Sequence, residues 1–111
     1  MGAGYNIPQS VVSMPTDTTK QFNVVIEYCG AWGYSSQANF ANGVIKNKYP
    51  LAAVQVYSPG KTSNIIVKIN DTVVWDKKKG DGPINESTIQ ALMTKIKSFV
   101  EAKWTQKTNK Q

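Results

Sequence analysis

Val24-Val25-Ile26-Glu27-Tyr28-Cys29-Gly30-Ala31-Trp32-Gly33-Tyr34 is the stretch from which the rest of this chain can be placed. From Phe22 to Tyr28, β-branched and aromatic residues follow one another as in a buried strand, and Ser35 or Ser36 then offers an N-cap for a helical pattern. Cys29, the sole cysteine, is thereby set at a strand-to-helix turn flanked by Gly30 and Gly33. A helix N-terminus carries unpaired N–H groups and a partial positive charge, and both favour thiolate over thiol. The expectation is a partly exposed, reactive Cys29, set against the alternative of a small apolar residue that is buried and inert.

Outward from this turn, Ser35 to Lys48 brings Ala38, Ala41, Val44 and Ile45 to helical spacing, weakened by Gly43 and ended by Tyr49-Pro50. Ala52 to Tyr57 alternates as a second strand, and Ser58-Pro59-Gly60-Lys61 reads as a turn. Asn64 to Ile69 and Thr72 to Trp75 read as two further strands joined at Asn70-Asp71, residues that tolerate positive φ. A lysine-rich loop from Lys77 to Gly82 follows. Ser87-Thr88-Ile89-Gln90 has the form of a capping box, after which Ile89, Leu92, Met93, Ile96, Phe99 and Val100 share one helical stripe. The order β-α-β-β-β-α predicts an α/β two-layer sandwich, a four-stranded mixed sheet with two helices on one face.

At 111 residues the chain has room for one core. Residues 1–20, punctuated by Pro8 and Pro15, read as a flexible leader, residues 21–104 as the folded domain and residues 105–111 as a flexible tail. Met1 to Ser13 is open to reading as an upstream extension, with Met14 as an alternative start. All 13 basic residues are Lys, and the formal net charge is +6. That excess draws acidic partners by general electrostatics, whereas the lack of Arg argues against sequence-specific nucleic-acid reading. Without His, the usual imidazole base and the commonest metal ligand are missing. No apolar run reaches the ~20 residues that span a bilayer, and one cysteine without a secretory signal predicts a cytoplasmic setting.

Two blocks carry a family resemblance. Glu27-Tyr28-Cys29-Gly30-Ala31-Trp32-Gly33-Tyr34 resembles the redox loop of the selenoprotein W family, and Lys77-Lys78-Lys79-Gly80-Asp81-Gly82 followed by Glu86-Ser87 resembles its segment before the last helix. The likeness extends from about Phe22 to Ala102. It implies a thioredoxin-like fold, with Cys29 as the redox thiol and Gly30, Ala31, Gly33 and Tyr34 as the binding loop around it. It further implies glutathione as co-substrate, no bound cofactor, and association with 14-3-3 proteins. Trp32 stands where the family carries selenocysteine or cysteine, so the two-centre chemistry of the family cannot run here, and Cys29 is left to act as a monothiol. Trp32 itself has three readings: a space-filling residue beside the first helix, a docking indole next to the thiol, or a replacement for selenocysteine, whose codon is in some settings read as tryptophan.

The function implied is a glutathione-linked thiol-disulfide oxidoreductase, serving antioxidant defence or redox signalling. The alternative is a non-enzymatic module that docks partners through the Cys29-Tyr34 loop. Ser63-Asn64 occupy the place where thioredoxins carry a cis-proline, so docking on such a proline is not expected. Lys77, Lys78 and Lys79 read either as a solvated turn or as a collector of an anionic tripeptide, with Gly80 and Gly82 permitting close backbone approach. The sequons at Asn70 and Asn85 read as turn and capping chemistry, and Trp75 and Trp104 as packing residues.

Overall fold

A computed structural model describes residues 16–31 and 33–109, with side chains through Ala102. Strand β1 (Asn23–Cys29) leads to helix α1 (Tyr34–Lys48), then come strands β2 (Ala53–Gly60), β3 (Ile65–Ile69) and β4 (Thr72–Asp76), a 3-10 turn (Lys77–Lys79) and helix α2 (Ile89–Asn109). The sheet order is β2-β1-β3-β4, with β1 parallel to β2 and both β3 pairings antiparallel. This is the expected thioredoxin-like sandwich: the parallel pair needs a crossover, which α1 supplies, and the antiparallel pair needs only a hairpin. Asn70 and Asp71 make that hairpin at φ 47° and 74°, both in the left-handed region.

Alternation along β1 separates two faces. Val24 and Ile26 are fully buried and lie opposite Ile69 and Val67 of β3, with Trp75 of β4 beyond. Val25 and Glu27 are only half-buried, so burial is one-sided where a wholly buried strand was expected. On that open face Lys68 Nζ meets Glu27 Oε2 at 2.9 Å across neighbouring strands. The helices cover the other face. Ala38, Ala41, Val44 and Ile45 of α1, and Ile89, Leu92, Met93, Ile96 and Val100 of α2, are buried together with the strand residues, and Phe99 packs at the margin.

Several element ends lie away from their predicted places. Helix α1 starts at Tyr34, capped by Gly33 at φ 77° without a side-chain hydrogen bond, so Ser35 and Ser36 sit inside its first turn and are not the cap. Strand β2 runs through the predicted turn as far as Gly60. Pro59 is tolerated there because β2 is an edge strand, where one missing N–H interrupts no ladder. The capping box before α2 is two residues early: Asn85 Oδ1 accepts from the N–H groups of Ser87 and Thr88, and Thr88 Oγ1 accepts from the Asn85 N–H at 2.9 Å. Helix α2 continues to Asn109, beyond Thr105. Residues 16–20 rest on the end of α1, where the Asp17 N–H donates to the Lys48 carbonyl at 2.7 Å. Residues 1–15, Trp32 and the Trp104 side chain lie outside the described residues.

Candidate functional site

The Cys29 end of β1 is gripped from both sides. The Cys29 N–H donates to the Asn64 carbonyl at 2.9 Å and the Gly30 N–H to the Gly60 carbonyl at 2.8 Å, tying the loop to the start of β3 and the end of β2. The register of β1 against β2 slips between Glu27 and Cys29. The extra residue lies on β2, where Ser58 and Pro59 stand against Tyr28 alone. Cys29, which strict alternation after Val25 and Glu27 would put on the open face, is buried with the core residues. Its exposure is 0%, which corrects the expected partly exposed thiol. At Gly30 a Cβ would stand 2.9 Å from Ser58 Oγ, so a larger residue there would turn that hydroxyl aside. Gly33 is required by its positive φ. Ala31 is half-buried, and its carbonyl accepts from the Tyr34 N–H at 3.4 Å.

Burial alone would push the Cys29 thiol up. Backbone hydrogen bonding by Ser63, Ala31 and Thr62, together with the positive charge of Lys61, outweighs it and holds the thiol below its ordinary value. The backbone that provides two of these groups is unusual: Ser63 has φ 54°, a left-handed conformation uncommon for a residue other than glycine. Tyr34, itself buried, holds this residue by donating its hydroxyl to the Ser63 carbonyl at 3.2 Å. Ser63, one of the two residues read from the sequence as occupying the place of the thioredoxin proline, contributes an N–H that proline lacks. No cis peptide bond occurs among the described residues.

The lysine turn, distant in sequence, is joined to the same end of the sheet. Asn64 makes the joint: its carbonyl accepts from Cys29, its Oδ1 accepts from the Lys78 N–H at 3.0 Å, and its Nδ2 donates to Asp76 Oδ1 at 3.1 Å. Lys77 Nζ lies 5.8 Å from the centre of the Tyr34 ring, a cation–π contact. Nothing local in the sequence joins the lysines to the Cys29 loop, and Asn64, read there only as a strand start and at the proline position, makes the joint. Among the described residues, Lys61, Lys77, Lys78 and Lys79 have no carboxylate partner, whereas Lys20, Lys68 and Lys95 are paired. Nor do the described residues contain a His/Cys/Asp/Glu group able to hold a metal ion. Among them no helix is long and apolar enough to cross a membrane.

The sequence pattern of the Rdx family matches residues 23–97, from the first residue of β1 into α2. The chain belongs to the Rdx family. This is the family that includes proteins of the selenoprotein W, T and H type, so the resemblance on the Cys29 loop and lysine turn is sustained over the Rdx match as a whole. No curated protein and no solved structure matches this Rdx-family chain.

Proposed function

We propose that this Rdx-family protein is a monothiol redox protein whose Cys29 exchanges with glutathione disulfide. The observation that carries the reading is the backbone around the end of β1, where Cys29 and Gly30 are tied to Asn64 and Gly60 and Ser63 is left-handed, surroundings that together with Lys61 hold the thiol below its ordinary value. Such surroundings favour the anionic sulfur, the attacking form in thiol–disulfide exchange. In the first step the Cys29 thiolate attacks one sulfur of glutathione disulfide. The S–S bond breaks, a protein–glutathione mixed disulfide forms, and the other half leaves as a thiolate that takes a proton from water. A second glutathione thiolate then attacks the glutathione sulfur of the mixed disulfide, returning Cys29 and regenerating glutathione disulfide. Each exchange conserves the number of disulfides, and the reaction gains direction when a different disulfide enters at the first step.

The test is the pH dependence of Cys29 alkylation, followed by intact-mass detection of a glutathione adduct after exposure to glutathione disulfide. The expected results are a midpoint below the unperturbed ~8.5 and a single adduct. A midpoint at or above that value with no adduct would overturn the reading.

One observation favours a second reading. Cys29 is fully covered, as a packing residue would be, and the exposed neighbours Gly30 and Gly33 leave the loop available for docking a protein such as a 14-3-3 protein. A Cys29→Ser variant separates the two: loss of the adduct with partner capture intact assigns docking to the loop independently of the thiol.

A further inference from the structure

Three features meet at the Cys29 end of the sheet: a thiol held among backbone amides, a tyrosine ring, and lysines from two separate segments. Lys61 follows β2 directly after Gly60, whose carbonyl accepts from the N–H of Gly30 next to Cys29 at 2.8 Å. Lys77 enters from beyond β4 and lies over Tyr34, whose hydroxyl is bonded to the Ser63 carbonyl next to the thiol. The acidic groups nearby are already engaged and do not neutralise these cations. Asp76 is buried and accepts from Asn64 and from the Lys78 N–H, and Asp81 pairs with Lys95 at 2.9 Å.

The geometry points to an anion-recognition site in which Lys61 and Lys77 select disulfides bearing carboxylates a few bonds from the sulfurs, and disfavour cationic ones. The inference rests on the redox reading of Cys29 and adds to it the residues that choose the substrate. A carboxylate cannot approach the covered sulfur itself without losing its hydration. It can remain at the rim, in solvent, while the attached disulfide enters. Lys77 is suited to that rim because the Tyr34 ring restrains its ammonium from one side and leaves its other hydrogens free to donate. Lys61 is exposed, where it can meet a second carboxylate on the same ligand. The effect is electrostatic and near the surface, so salt should weaken it.

The test compares the rates at which Cys29 reacts with dithiodipropionate (anionic), oxidised 2-mercaptoethanol (neutral) and cystamine (cationic). Each rate is divided by that of free 2-mercaptoethanol with the same disulfide, which removes intrinsic differences among the disulfides. Expressing the anionic and cationic rates relative to the neutral one then cancels any change in thiolate fraction. At low ionic strength the anionic rate is expected to exceed the cationic rate by about tenfold on this scale, shrinking severalfold in roughly 0.5 M salt. Lys61→Glu and Lys77→Glu should each reduce the preference severalfold, and Lys77→Gln, which keeps the length of the side chain, should reduce it less. Lys97→Glu, at an exposed position of α2, changes net charge equally and should leave most of the preference in place.

Equal losses in the Lys97 and Lys77 variants would show that overall charge sets the preference and would overturn this inference. So would an absence of preference while the neutral disulfide reacts normally, a result that leaves the redox reading standing. Failure of all three disulfides to react would overturn both.

Discussion

The two ends of β1 are finished in opposite ways. At its start, side chains close the structure: Phe22 and Tyr49 meet edge-to-face at 5.2 Å, Asn70 Oδ1 accepts from the Asn23 N–H, and Asp17 is paired with Lys20. At its finish, backbone groups do most of the holding, Ser63 and Gly33 adopt left-handed conformations, and the lysines stand without carboxylate partners among the described residues. One end gathers apolar area and matched charge, the ordinary means of stability. The other gathers conformational strain and unmatched charge, which cost stability and are retained where they serve a site. The strand connects them, so a change at either end tests whether the division is real.

The largest effect is expected from Phe22→Ala, which removes half of the aromatic pair and leaves a cavity, costing about 3–5 kcal/mol by denaturant unfolding. The Cys29 alkylation profile of the folded protein should not move; a shifted profile would show that the ends are coupled. Next is Gly33→Ala, expected to cost about 1–2 kcal/mol because a Cβ is added where φ is positive. Tyr34→Phe should cost less, about 0.5–1.5 kcal/mol, yet raise the pH midpoint of alkylation by loosening Ser63. An unchanged midpoint there would show that the Ser63 backbone needs no hydroxyl to hold it.

The smallest effect is at the closed end and depends on acid. Hydrogen bonds from Thr19, assisted by Lys20, hold the Asp17 carboxyl down at about 2. A depressed carboxyl contributes stability that is fully present above its unfolded pKa of ~3.9 and is lost as pH falls through the folded value. Asp17→Asn should therefore be slightly less stable than the parent near neutral pH, and the two denaturation midpoints should converge as pH approaches 2. Parallel curves would remove Asp17 from the account. The neighbouring Tyr49 works from the alkaline side: burial, with Asp17 and Glu101 nearby, pushes its phenol up to about 12, so its ionisation opposes the fold only at high pH.

How far the sequence disclosed this arrangement differs by element. The stripe from Ile89 to Val100 and the Asn70-Asp71 turn were legible because periodicity and left-handed tolerance are local properties of the residues that show them. The caps were less so, since Ser35, Ser36 and Ser87 all have suitable chemistry, while the positions used are Gly33 and Asn85. Choosing among adjacent candidates depends on where the preceding chain delivers the helix, and that is set by packing. At the site, Cys29 and its glycines stood out, but the covering of the sulfur did not: the end of β1 is tied to Gly60 and Asn64, residues distant in sequence that no local pattern brings together. The joining of Lys77 to Tyr34 through the fold was invisible for the same reason.

Pro59 carries one further consequence. It interrupts the outer margin of β2 close to the Cys29 end, so a neighbouring polypeptide cannot extend a continuous hydrogen-bonded ladder along that margin to the thiol. Neighbouring copies are thus denied the simplest route to fibrous assembly at the end of the sheet that holds Cys29.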